Sequence, residues 1–83
     1  MNECYLSQMK PGARATVVDL NAEGGMRRRL QDLGLVKGCR VDCVERSPMG
    51  DPTAYRICGA VVALRREDAD AIRVAEVPIH AGA

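Results

Sequence analysis

The chain has 83 residues, room for one domain only, and a chain this short buries roughly 60% of the surface that its unfolded form exposes. With no Trp, no Phe and two Tyr, the core has to be built from Val, Leu, Ile, Ala, Met and Cys, which leaves little free energy to spare for a strained catalytic centre. Twelve Lys and Arg against eleven Asp and Glu give a formal net charge of +1, without the basic excess that phosphate neutralisation asks of a nucleic-acid binder, so nucleic acid is not the expected partner.

Lys10-Pro11-Gly12 is a turn signal, and Ala13 to Leu20 reads as a first strand. Ala13, Ala15 and Val17 alternate with Arg14 and Thr16, although Val17-Val18 blurs the period. Asn21 to Gly25 is loop, and from Met26 the period turns helical, with Met26, Leu30 and Leu33 on one face. Gly34 can adopt the left-handed conformation just past a helix end, and Leu35 follows where a capping apolar contact is common. Val36-Lys37-Gly38 is a second turn, after which Cys39, Val41 and Cys43 alternate with Arg40 and Asp42 in a strand running to Arg46. The densest turn signal is Ser47 to Pro52. A third strand, Thr53 to Cys58, points Tyr55 and Ile57 inward, Gly59 turns the chain into Val61 to Arg65, Glu67 to Asp70 makes one helical turn, and Ile72-Arg73-Val74 starts a last strand. The tail after Pro78 is expected to be loose.

These signals predict a mainly β fold: a small five-stranded barrel, closed to remove strand edges, with one short inserted helix at about residues 25–34. A single domain is expected over 1–83, with its ordered core at about 6–77. The longest strongly apolar run, Ala60 to Leu64, is far short of the ~20 residues that span a bilayer, so no direct membrane insertion is expected. The first residues lack a basic start and an apolar stretch, which gives a cytoplasmic expectation with reduced thiols as the default state.

The combination of Leu6 with Pro11-Gly12, Arg28-Arg29-Leu30, Leu33-Gly34-Leu35 and Gly38, then Gly50-Asp51-Pro52 with Tyr55, Ile57 and Gly59, and finally Ala63-Leu64-Arg65 with Ala69, Ile72 and Val74 resembles the FeoA family. These are small cytosolic SH3-like proteins of bacterial ferrous iron uptake, and the likeness runs from about Leu6 to Val77. It implies an SH3-like barrel and an accessory, regulatory role beside FeoB, the membrane iron transporter with a cytoplasmic GTP-binding domain. The same fold resembles the C-terminal domain of iron-dependent repressors, which implies an alternative role as an accessory module of a transcription regulator.

No catalytic constellation is visible. His80 is the single His, no Ser or Cys has a base beside it, and Gly24-Gly25 lacks the Lys-Ser/Thr of a phosphate loop. The protein is therefore not expected to be an enzyme. Cys39 and Cys43 have the spacing of a ligand pair, but four residues of strand hold their thiols roughly 13 Å apart. That distance excludes one shared ion or a disulfide between them and favours two core side chains. Cys58 points outward, and with His80, Cys4 or an Asp it would make an iron or zinc site, the basis of a second reading as a carrier or sensor of Fe(2+) or Zn(2+). Arg27, Arg28 and Arg29 form a basic patch suited to an acidic partner surface, with Arg28 projecting opposite the helix's apolar face. At the tip of the long hairpin, Met49 between Pro48 and Pro52 offers an apolar knob, flanked by Asp51, while Tyr55 near its base fills the core or lines a shallow groove. The expected protein partner of these elements is a FeoB-like transporter.

Overall fold

In the computed structural model, which describes residues 2–77, six strands form one antiparallel sheet. They are β1 (Asn2–Tyr5), β2 (Arg14–Leu20), β3 (Arg40–Arg46), β4 (Thr53–Ile57), β5 (Ala60–Leu64) and β6 (Ile72–Val77), in the order β1-β6-β2-β3-β4-β5. Helix α1 (Gly24–Asp32) joins β2 to β3, α2 (Arg66–Ala69) joins β5 to β6, and one 3-10 turn, Leu6–Gln8, follows β1. The five predicted strands are all present. The sixth, β1, corrects the predicted count: Glu3 and Tyr5 are exposed, so the strand has no buried alternation to reveal it. Main-chain pairing holds it, with Cys4 opposite Val74 on β6. The tail after Pro78, with His80, lies outside the described residues.

The sheet curls because its inner face carries nearly all the large apolar groups. Leu6, Met9, Val17, Leu30, Leu35, Val41, Tyr55, Ile57, Ile72 and Val74 are each at most 2% exposed, and burying a side chain of this size stabilises by about 1.5–3 kcal/mol. Among the described residues no ladder joins β5 to β1. The segment after β1 bridges that side instead: Tyr55 Oη donates to the Leu6 carbonyl at 3.3 Å, and Arg46 Nη2 donates to the Met9 carbonyl at 2.9 Å.

The blurred period at Val17-Val18 is a β-bulge. Val17 pairs with Val74 and Asp19 with Arg73, which leaves Val18 as the extra residue and lets both Val17 and Leu20 face inward. A second irregularity lies between Cys43 and Glu45, and there Val44 is turned outward. Helix α1 stops at a Schellman motif. Gly34 stands at φ +98, its N–H bonded to the Gln31 carbonyl, and the Leu35 N–H reaches the Leu30 carbonyl at 3.0 Å. Leu35 is thereby driven into the core.

Candidate functional site

Helix α1 presents Arg27, Arg28 and Arg29 to solvent, as its period requires. Two of the three are engaged within the molecule. Arg27 Nη1 donates to the Leu20 carbonyl at 3.1 Å, tying the helix to the end of β2. Arg29 Nη2 lies 2.6 Å from Asp68 Oδ1 on α2, a carboxylate whose side chain is only 11% exposed. Arg28 makes no ion pair among the described residues, not even with Asp32 four residues on, so of the three arginines it is the one that the fold does not engage there. Asp68 had no sequence signal: a buried acid on a four-residue helix looks like any solvated turn.

The β3–β4 hairpin carries the apolar candidate. Met49 is 92% exposed at its tip. Asp51 is occupied differently, its Oδ1 accepting the Arg66 N–H at 2.9 Å where α2 begins. That bond fastens the hairpin to α2 and makes Asp51 a structural side chain first. Tyr55 is 2% exposed and belongs to the core, although it also lines a cleft of about 380 Å³. The walls of this cleft include Tyr5, Ser7, Arg46, Arg66 and Asp70, and Ser7 donates to Asp70 across it. Burial pushes the Tyr55 hydroxyl up to about 12, so it stays protonated at neutral pH and keeps its proton to donate to the Leu6 carbonyl.

The cysteines divide into three environments. Cys43 is 2% exposed, and burial raises its thiol above the ordinary value. Cys4 lies on β1, where its Sγ donates to Glu76 Oε1 at 3.7 Å; burial first, then the nearby Glu76 carboxylate, raises its thiol as well. Cys58 is exposed, as predicted, but its Sγ lies 2.7 Å from Cys39 Sγ. The structure thus brings Cys58 to Cys39, and Cys4 to Glu76. Among the described residues no group of three or more His, Cys, Asp or Glu side chains is arranged to hold a metal ion.

Among the described residues, no helix is long and apolar enough to cross a membrane. The FeoA domain family model matches residues 4–76. The Fe(2+) transport protein A/Fe(2+) transporter FeoB fusion protein of Porphyromonas gingivalis is 39% identical over 69 residues, 83% of this chain and 8% of that protein. The chain thus spans less than a tenth of that relative's length. The solution structure of a FeoA protein from Chlorobium tepidum superposes with a TM-score of 0.80 at 41% identity, covering 86% of this chain and 68% of that one. Stenotrophomonas maltophilia FeoA, a prokaryotic SH3 domain protein complexed with zinc, gives a TM-score of 0.77 at 30% identity over 87% of this chain and 89% of its own.

Proposed function

The chain belongs to the FeoA domain family, which is associated with ferrous iron transport, and from that premise we propose that it is an accessory protein docking on the cytoplasmic GTPase part of a FeoB-like iron transporter. The observation that carries this reading is the P. gingivalis relative, in which a FeoA unit and a FeoB transporter share one polypeptide. A unit fused to a transporter in one protein is a natural binding partner of that transporter, since fusion replaces association by a high effective concentration. The protein works in the cytoplasm, where that GTPase part lies, and contributes binding free energy in place of chemistry of its own. Arg28 and Met49 are the contact residues: among the described residues Arg28 has no ion pair and Met49 is an exposed apolar knob.

The test is direct binding of the purified chain to the cytoplasmic part of a FeoB-like transporter from the same genome, with and without guanine nucleotide. Saturable binding that weakens in Arg28→Glu and Met49→Ser supports the reading. Absence of binding in every nucleotide state overturns it.

A second reading, a carrier or sensor of Fe(2+) or Zn(2+), is favoured by the zinc held by S. maltophilia FeoA. Its ligands here would be Cys58 with His80 or Cys4. Titration with either ion under reducing conditions gives saturable binding that Cys58→Ser abolishes if this reading holds, and unchanged titrations if it does not.

A further inference from the structure

Cys39 and Cys58 meet at one end of the sheet, beyond the pairing of Val41 with Ile57. Cys39 follows the turn at Gly38 and is 8% exposed, while Cys58 occupies the two-residue turn between β4 and β5. Both residues of that turn have positive φ, Cys58 at 50 and Gly59 at 87, the backbone of a tight hairpin of the primed type. A non-glycine residue in this region is uncommon. Its effect here is to aim the Cys58 side chain back across the ladder, so that the two sulfurs lie 2.7 Å apart.

That separation is too short for a shared metal ion. Two thiolates bound tetrahedrally to zinc, each ~2.3 Å from it, stand ~3.8 Å apart, and no third ligand group stands with them among the described residues. It is a distance for covalent pairing. Neighbouring strands run ~4.8 Å apart, within the spacing that a disulfide bridges. The two thiols also differ in access: Cys58 is open to solvent, whereas Cys39 is covered.

We propose that Cys39 and Cys58 are a redox-modifiable dithiol, in which exposed Cys58 is the attacking thiol and buried Cys39 the resolving one. The oxidant is a low-molecular-weight disulfide of the glutathione class. Cys58 Sγ, as thiolate, attacks one sulfur of oxidised glutathione; the glutathione S–S bond breaks, a Cys58–glutathione mixed disulfide forms, and one glutathione thiolate leaves and takes up a proton. Cys39 Sγ then gives up its proton to solvent and attacks Cys58 Sγ, which forms the Cys39–Cys58 bond and expels the second glutathione. Two protein thiols and one small disulfide become one protein disulfide and two small thiols. Burial, with the bond to Cys58, pushes the Cys39 thiol up to about 11, which keeps it protonated at neutral pH and leaves first attack to its exposed neighbour.

The experiment incubates the full chain with oxidised glutathione, blocks the remaining thiols with an alkylating agent, and maps peptides by mass spectrometry. The expected result is a Cys39–Cys58 linked peptide in monomeric protein, Cys4 and Cys43 alkylated, and full reversal by dithiothreitol. Cys39→Ser should stop at a stable glutathione adduct on Cys58, and Cys58→Ser should give neither adduct nor bridge. Alkylation of both Cys39 and Cys58 after the oxidant, a wild-type adduct on Cys58 that Cys39 never displaces, or dimers linked through Cys58 would each overturn the assignment. Because the linked peptide is sought in wild-type protein, the test does not depend on either variant folding.

Discussion

Replacing Arg29 by Met separates an arginine that holds the fold from one that is free to bind. The Arg29 side chain is 60% exposed and the Asp68 side chain 11%, so the two ends of this ion pair are worth different amounts. A pair exposed at both ends contributes about 0.2–1 kcal/mol. Stranding a buried acceptor costs about 1–3 kcal/mol. Water can enter from the Arg29 side, which brings the expectation to about 1–2 kcal/mol, or roughly 5–15 °C in Tm for a domain of this size. Arg28→Met, one residue away and unpaired, should stay within about 0.5 kcal/mol of the parent. The double variant Arg29→Met/Asp68→Asn should recover part of the loss, because the stranded charge is gone. Urea unfolding followed by circular dichroism measures all of these. Equal losses for the Arg28 and Arg29 variants, or no recovery in the double variant, would refute the reasoning.

In binding to the transporter's cytoplasmic part, Arg28→Glu and Met49→Ser should each lower affinity at least about tenfold, some 1.4 kcal/mol, with the Tm unchanged; an affinity equal to the parent's removes that residue from the interface. Tyr55→Phe should cost about 0.5–1.5 kcal/mol at neutral pH, the low figure following because the Leu6 carbonyl keeps the Met9 N–H at 3.1 Å. Burial raises the Tyr55 hydroxyl from 10.0 to about 12. Its contribution is therefore complete below about pH 10 and lost as pH rises towards about 12, at most ~2.7 kcal/mol. The phenylalanine variant should show a flatter alkaline fall in urea midpoint than the parent, and parallel curves would contradict the assignment. Gly34→Ala should destabilise by about 1–2 kcal/mol, since alanine resists the left-handed backbone at φ +98 and its Cβ would stand 3.3 Å from Cys58 Sγ; a stability equal to the parent's would refute it.

Where burial and backbone constraint act together, the chain's order of residues is readable. Gly34 and Leu35 announce the end of α1 because only one backbone geometry turns the chain there and buries the next leucine. Tyr55 and Ile57 alternate because one face of β4 is dry. Strand β1 was invisible for the opposite reason. It is held at the edge of the sheet by main-chain pairing, and Glu3 and Tyr5 face water, so no pattern of buried residues marks it. The residues proposed for docking are less legible still: a contact with a partner leaves no trace in the fold's own pattern, and nothing in the sequence separates Arg28 from Arg27 and Arg29 until their contacts are known.

The thiol pair falls between these cases. Cys39 and Cys58 flank the hairpin whose tip is at Gly50, and counting outward from that turn brings them nearly level. The irregularity between Cys43 and Glu45 shifts the count by one: Arg46 stands opposite Thr53, yet Val41 stands opposite Ile57. Such a slip decides which residues face each other across the ladder. A short-range rule about cysteine spacing finds Cys39 and Cys43, which are neighbours in sequence and far apart along one strand. The pair that meets is joined by register, a bulge and a left-handed turn residue, and each of these is a property of two strands together.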